Sequence, residues 1–167
     1  MKKMKLFLLV AAIFTLIASS DSFAQVSANT TANVTANLRK GLTIVKDTDM
    51  SFGIVQQNPD NSATSVLTPQ NGAKFTVSGN ASSSINVTLS NATLTMSDPA
   101  VTVSTWVMHV TDNGTYTSGS NILTGVNGTT TLSSSGAKHL WLGGTLTATT
   151  SATAGNKTGT ITVTVAY

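Results

Sequence analysis

Apolar and polar residues alternate near both ends of the chain beyond its first 24 residues. From Val26 to Leu38 every second residue is apolar or threonine, and from Thr160 to Tyr167 the large apolar residues fall at every second position. A period of two residues is typical of a β-strand with one buried face. The pattern therefore predicts a long, half-buried first strand over Val26–Leu38 and a last strand that ends at Tyr167.

Shorter alternating runs lie between these two segments, and turn-forming residues separate them. The run 101–111 is apolar on both faces, which predicts a strand near the centre of a sheet. Eight to ten short strands without helical periodicity predict an all-β fold, an antiparallel β-sandwich of the immunoglobulin-like or pilin-like kind. The other predicted strands cover 42–44, 50–54, 65–67, 74–78, 85–89 and 140–148, with short ones near Ile122 and Thr130 and a bulge at Lys40–Gly41.

The first 24 residues have the layout of a signal peptide. Three lysines precede an apolar run over 6–18, and small residues stand at Ser22 and Ala24. The run is shorter than the roughly 20 residues that a membrane span needs. We expect cleavage after Ala24, a single domain over residues 25–167 without a membrane span, and export to the periplasm or cell surface of a Gram-negative bacterium.

Composition narrows the possible functions. Removing residues 1–24 leaves six basic and five acidic residues, a net charge of +1, with no basic cluster that would neutralise a row of phosphates. Nucleic acid is therefore not expected as a partner. The chain has no Cys and no Glu, so it offers few acids, bases or nucleophiles. We expect no enzyme activity, no metal and no cofactor.

Two histidines and two oxygen-rich loops are the candidates for a metal or catalytic site. His109 and Asp112 fall on opposite faces of a strand, and His139 lies thirty residues from His109 without a further zinc ligand. The loops Asp47–Asp49 and Asn58–Asn61 lack the spacing of a calcium-binding loop. Structural and turn-forming roles are expected for all of them.

The aromatic residues suggest an alternative function. Trp141, Trp106 and Tyr116 are candidates for a platform on which sugars stack, as in a carbohydrate-binding module. Both tryptophans lie among apolar strand residues, which favours core packing for at least one of them, whereas Tyr116 is expected to be exposed. A second alternative is a small outer-membrane β-barrel, since alternation and a terminal aromatic residue also fit that fold.

The two terminal strands carry the main functional expectation. Natural proteins usually protect sheet edges with charge or proline, and neither terminal segment has an internal charge or proline. Each strand therefore either pairs within its own sheet or adds to another subunit by strand addition. The candidate assembly residues are Val26, Ala28, Val34 and Leu38 in the first segment, and Ile161, Val163, Val165 and Tyr167 in the last.

Several motifs, taken in order, resemble one bacterial family. They are the alternating start, Leu42–Ile44 followed by Met50–Gly53, the run Ala73–Gly79, Leu140–Leu146 with its paired glycines, and the ending Gly159–Tyr167. Together they resemble the bacterial domain-of-unknown-function family 4402. The resemblance implies a small exported β-sandwich protein and assigns no catalytic residue. A looser similarity, to fimbrial subunits, rests on the alternating segments at both ends.

The sequence thus predicts a non-enzymatic, exported structural or adhesive protein of pilin-like character, which acts through its edge strands and loops. Its expected partners are other copies of itself or other surface subunits, and carbohydrate under the alternative function.

Overall fold

A computed structural model describes residues 30–167. Residues 38–167 form one compact unit, and the chain before residue 38 is a separate unit, of which residues 30–37 are described. The signal peptide expected at residues 1–24 and the candidate assembly residues Val26 and Ala28 lie outside the described part.

Ten strands and one short 3-10 turn, Pro69–Asn71, make up the regular structure of residues 30–167, and no α-helix occurs among them. The strands are β1 (Thr43–Thr48), β2 (Ala63–Leu67), β3 (Ala73–Ser78), β4 (Ser84–Leu89), β5 (Leu94–Thr95), β6 (Val101–Thr111), β7 (Leu123–Thr124), β8 (Asn127–Thr131), β9 (Ala137–Ala148) and β10 (Val163–Ala166).

The strands form two antiparallel sheets that pack as a sandwich. The first sheet has the order β1-β3-β9-β6-β5, and β2 also pairs with β9. The second sheet has the order β10-β4-β8-β7. The all-β sandwich predicted from the sequence is therefore confirmed.

The core lies between the sheets and follows the period of two. On β4 the residues Ile85, Val87 and Leu89 are buried while those between them are exposed. Alternating residues of β3 supply the opposite wall together with β9, in which the consecutive residues 140–144 are all buried and alternation resumes towards Ala148. The side chains with less than 2% exposure are Ile85, Leu89, Met108, Leu140, Leu142, Val77, Val87 and Val103.

Glycines allow β2 and β3 to follow one another along the same side of β9. The 3-10 turn between them brings two stretches of backbone close together. A Cβ atom on Gly143 would overlap the Leu67 carbonyl oxygen, and one on Gly72 would overlap the Leu142 carbonyl oxygen. Only glycine fits at both positions without displacing backbone.

A bulge explains the two-sided apolar pattern of β6. The register with β9 shifts between Ser104 and Val107, and Thr105 adopts a positive φ of 53°. Val103 is buried before the shift and Trp106 after it, so the phase of the alternation changes within the strand. β6 lies beside the central strand β9, and the apolar residues on both sides of the bulge enter the same core.

Two predicted strands are wrong in the described residues. Thr30–Leu38 belongs to no strand and is exposed along its length, with Val34 at 92% and Leu38 at 87% exposure. Its alternation comes mostly from alanine and threonine, which bury too little apolar area to hold a strand without a partner.

The second wrong strand is 50–54. Gly53 takes a positive φ of 63° there, which breaks the extended backbone, and Ile54 is 91% exposed. The last strand is shorter than predicted, since regular pairing covers Val163–Ala166. The register shift in β1 lies between Lys46 and Thr48 rather than at Lys40–Gly41.

Candidate functional site

The outer edge of β10 is the candidate functional site. β10 pairs with β4 on one side, and no strand among residues 30–167 pairs with its other side. The core-facing Val163 and Val165 are only half-buried, whereas the core-facing Ile85 and Val87 of β4 are fully buried. Since β4 has a neighbour on both sides, the missing neighbour accounts for the apolar surface left open beside β10.

β1 runs close to β10 along the same side of the sandwich without pairing with it. Among residues 30–167 its one partner is β3, so both sheets present an edge on this side that no other described strand covers. Half-buried apolar residues from both edges pack against the core. We call this surface the edge slot and define it by Leu42, Ile44, Ile161, Val163 and Val165.

The two edges differ in charge. β1 carries Lys46 and Asp47, charges of the kind that commonly protect an edge from unwanted pairing. The segment Thr158–Tyr167 has no charged side chain and no proline. The edge of β10 therefore lacks the features that prevent the addition of a further strand.

Tyr167 fixes the corner where the chain enters the compact unit. Its hydroxyl accepts a hydrogen bond from the Asn80 amide at 2.6 Å and donates one to the Lys40 carbonyl at 2.8 Å. The Arg39 guanidinium carbon lies 6.0 Å from the centre of the ring. The approach needs Gly79, because a Cβ atom there would lie 2.6 Å from the Tyr167 hydroxyl. The terminal aromatic residue thus clamps the start of the sandwich at one end of the edge slot.

Both tryptophans are buried, at 6% exposure for Trp106 and 9% for Trp141. Trp106 Nε1 donates to the Asn91 carbonyl at 3.0 Å, and Trp141 Nε1 donates to Thr111 Oγ1 at 3.1 Å. Tyr116 is half-buried rather than exposed as predicted, because it meets Trp141 edge to face, with ring centres 5.5 Å apart. The three residues do not form an open platform for a sugar ring.

A polar cluster covers the outer face of the first sheet. Tyr116 Oη lies 2.8 Å from His109 Nδ1, and the two rings stack with centres 5.9 Å apart. Lys74 Nζ lies 4.7 Å from the centre of the Trp141 ring and donates to the Gly114 carbonyl at 3.0 Å. These contacts, with the ion pair between Lys138 and Asp112, hold the loop that follows β6 against the sheet. His109 contributes to this cluster through its contacts with Tyr116.

His139 belongs to a short hydrogen-bonded chain. Thr76 Oγ1 donates to Asp47 Oδ2 at 2.6 Å and lies 3.0 Å from His139 Nδ1. With its proton given to Asp47, the Thr76 hydroxyl accepts from His139, which places a proton on Nδ1. Burial lowers the pKa of His139, the nearby Lys74 lowers it further, and Asp47 opposes the shift.

Acidification should therefore destabilise the protein through His139. A histidine with a lowered folded-state pKa stabilises the fold when neutral, and this contribution is lost as the pH falls through its unfolded pKa of about 6.5. We expect the melting temperature to fall between pH 7.5 and 5.5, and to fall less for His139→Gln. Equal slopes for the wild type and His139→Gln would contradict this assignment.

A second ion pair joins Asp98, which precedes β6, to Lys157, which precedes β10. Lys157 Nζ lies 3.0 Å from Asp98 Oδ2, and Asp98 also accepts hydrogen bonds from the Thr153 and Ala100 amides. The Thr153 amide contributes most to holding the pKa of Asp98 well below its usual range, followed by the Ala100 amide and Lys157. Beside this pair lies a half-open cleft of about 390 Å³, lined by the segments 50–57 and 152–157 together with Met96 and core residues.

The aspartates of the oxygen-rich loops bond to neighbouring side chains and backbone. Asp47 accepts from Thr76, Asp49 lies 2.5 Å from Lys46 Nζ, and Asp60 accepts from the Ser62 amide at 3.0 Å. Among residues 30–167, no three His, Cys, Asp or Glu side chains come together in a way that could hold a metal ion.

Comparison with known proteins places the chain in a family. The model of a domain of unknown function, DUF4402, matches residues 35–167. This chain belongs to the DUF4402 family. No curated protein matches it. The DUF4402 match spans all ten strands, including both edges of the slot, and confirms the resemblance drawn from the motifs.

The structure of this DUF4402 protein brings some of the predicted site residues together and separates others. Ile161, Val163 and Val165 line the edge slot, and Tyr167 closes its corner. Val34 and Leu38 are exposed and lie in no strand. Within the described part of the chain, no helix has the length and apolar character needed to cross a membrane.

Sequence reasoning missed three features of this DUF4402 chain. The Asp98–Lys157 pair joins residues 59 positions apart, and nothing in either local sequence marks the contact. The contribution of Leu42 and Ile44 to the slot depends on β1 lying across from β10, which is a tertiary arrangement. The third feature is the clamp formed by Tyr167. The sequence did contain a signal for it, since a glycine at position 79 and a tyrosine at position 167 both stand beside regular strands.

Proposed function

We propose that this protein is a non-enzymatic, exported structural or adhesive subunit of a bacterial surface assembly, pilin-like in how it associates. The observation that carries the proposal is the uncharged outer edge of β10, where core-facing side chains remain half-buried and no strand within residues 30–167 pairs with the backbone. Unpaired N–H and C=O groups on such an edge can bond to a strand from another chain.

The composition supports the same function. The first 24 residues have the pattern of an export signal, and the sequence contains neither Cys nor Glu. Several charged side chains of the sandwich pair with one another, as in the Asp98–Lys157 and Lys138–Asp112 pairs. These features favour a protein that works through its surfaces rather than through a reaction.

The test is the effect of edge charge on the size of the protein in solution. Size-exclusion chromatography with light scattering should show that residues 25–167 form oligomers whose mass rises with concentration. The double variant Thr162→Lys and Thr164→Lys places lysines on the exposed face of the β10 edge, and we expect it to be monomeric because edge lysines oppose strand pairing.

The matched control is Thr124→Lys, which adds a lysine to β7 at the opposite edge of the same sheet. This variant should assemble like the wild type. A monomeric wild type at all concentrations would contradict the proposed function, as would oligomers that Thr124→Lys disrupts and the double variant does not. Far-UV circular dichroism establishes that each variant is folded.

A further inference from the structure

We infer that the edge slot of one copy receives the segment Thr30–Leu38 of a second copy as an added strand next to β10. The inference rests on the proposed function and names its partner, the donor segment and the acceptor edge. Four observations carry it: the shape of the slot, the character of the segment, the position of Lys40 and the absence of charge at both surfaces.

The slot has the character of a site from which one strand is missing. Ile161, Val163 and Val165 point toward the core but remain half-buried, and Leu42 and Ile44 across from them are half-buried as well. The outer backbone of β10 has no strand partner among residues 30–167. A strand placed there would both pair with β10 and cover these five side chains.

The segment Thr30–Leu38 has the pattern that such a strand needs. Val34, Ala36 and Leu38 alternate with Thr35 and Asn37, and the segment contains no charge and no proline. Every residue in it is exposed, and Val34 and Leu38 are among the most exposed large apolar residues of the described chain. Nine extended residues span about 30 Å, which exceeds the length of β10. Within the described residues, the apolar face of this segment is exposed, and the slot is only partly covered.

The position of Lys40 favours a second copy over insertion into the same molecule. Tyr167 holds the Lys40 carbonyl, and Leu42 packs over Gly79, so only Gly41 lies between two fixed points. To fill its own slot, the chain would have to reverse direction at Leu38–Arg39. Two-residue hairpin turns favour glycine, asparagine or aspartate at their centre, and Leu38 and Arg39 are none of these.

The donor and the acceptor are different surfaces of the same chain, so the contact is heterologous. Each copy that donates its segment still has an open slot, and each occupied copy still has a segment to donate. Contacts of this kind continue from copy to copy and form open-ended chains unless the rotation closes a ring. The inferred assembly is therefore a linear polymer of single subunits.

Engineered cysteines test the inference, because the chain has none of its own. Residues 25–167 are prepared with one donor cysteine, at Thr31, Asn33, Thr35 or Asn37, and separately with the acceptor Thr164→Cys on β10. A donor and an acceptor variant are mixed in denaturant, refolded together and oxidised. Directly opposed residues of neighbouring strands lie about 4.5–5.5 Å apart, within reach of a disulfide.

We expect at least one donor position to give a disulfide-linked heterodimer with Thr164→Cys. The control acceptor is Thr124→Cys on β7, and its yield should be lower by about tenfold or more, because docking raises the local concentration of the thiol pair only at β10. Electron microscopy of the uncrosslinked wild type should show linear chains.

Failure of the inference is distinguishable from failure of the proposed function. If oligomers form but the donor cysteine cross-links equally to Thr124→Cys and Thr164→Cys, the inference is overturned and the proposed function still stands. A chain carrying both cysteines that yields a monomer with an internal disulfide would show that the segment fills its own slot, which also overturns the inference. Absence of oligomers from the wild type would overturn both.

Two substitutions test whether the apolar face of the donor segment is the one that enters the slot. Val34→Asp places a charge on the face that would enter the slot, and Thr35→Asp places the same charge on the opposite face. We expect Val34→Asp to abolish assembly and Thr35→Asp to retain it. Equal loss in both variants would contradict insertion of the apolar face.

Discussion

Replacing Gly143 by alanine should lower the free energy of unfolding by about 3 kcal/mol or more, the upper range for overpacking in a close-packed interior. The added Cβ atom would overlap the Leu67 carbonyl oxygen and lie 2.7 Å from the Pro69 nitrogen. Both are backbone atoms, one at the end of β2 and one at the start of the turn that follows it, so neither can move aside as a side chain would. The overlap can be removed only if β9 moves away from this turn.

The measurement is chemical denaturation of residues 25–167, followed by circular dichroism. Gly119→Ala is the matched control, because no atom lies within 4 Å of the position that its Cβ would occupy. It should change the free energy of unfolding by less than about 0.5 kcal/mol. A Gly143→Ala variant as stable as this control would mean that β2, the turn and β9 are not packed as described.

Trp106→Ala should cost about 3–5 kcal/mol of stability, as expected for truncation of a buried aromatic residue. The ring is 6% exposed and lies against Gly144, where an added Cβ would be 2.9 Å from Cε3. The substitution also leaves the Asn91 carbonyl without its indole donor. Val66→Ala, at a side chain that is 69% exposed, should change the free energy of unfolding by no more than about 0.5 kcal/mol.

A double-mutant cycle ties this loss to the contact with Gly144. Gly144→Ala alone should cost about 1–3 kcal/mol, because the new methyl group meets the indole ring. In the Trp106→Ala background the same change should cost much less, since the ring that obstructs it is gone. Additive losses would show that Trp106 does not pack on Gly144.

Period-two alternation was sufficient to predict the fold class, because large β-branched and aliphatic residues mark the buried face of most strands. The predicted runs at 74–78, 85–89 and 101–111 coincide closely with β3, β4 and β6. Turn signals at Asn58–Ser62 and Asp112–Gly114 fall between strands, as predicted. In these segments, local pattern and tertiary packing agree.

The errors have a common physical origin, in that alternation does not reveal whether a strand has a neighbour. Thr30–Leu38 alternates, but strand structure also requires a partner for its backbone groups. In 50–54 the positive φ of Gly53 interrupts a pattern that the side chains alone would permit. The change of phase in β6 depends on a bulge whose position only the pairing with β9 defines.

Only part of the candidate site could be predicted from the sequence, because alternation does not show where a strand lies within a sheet. An uncharged, alternating last segment is visible in the sequence, so Ile161, Val163 and Val165 could be proposed as assembly residues. That these side chains remain half-buried depends on β10 lying at a sheet edge, and local sequence does not specify sheet order. The paired glycines were visible too, but their two separate roles, against Leu67 and against Trp106, required the structure.

The inferred docking of a second copy's strand on β10 is tested most directly by amide hydrogen exchange of assembled residues 25–167, compared with the monomer that lacks residues 25–37. Exchange reports the opening of individual backbone hydrogen bonds. We predict that outward-pointing amides of Val163–Ala166 exchange much more slowly in the assembly, while those of Leu123–Thr124 on β7 do not change. Equal rates at β10 in the two forms, or protection that appears at β7 instead, would contradict strand addition at this edge.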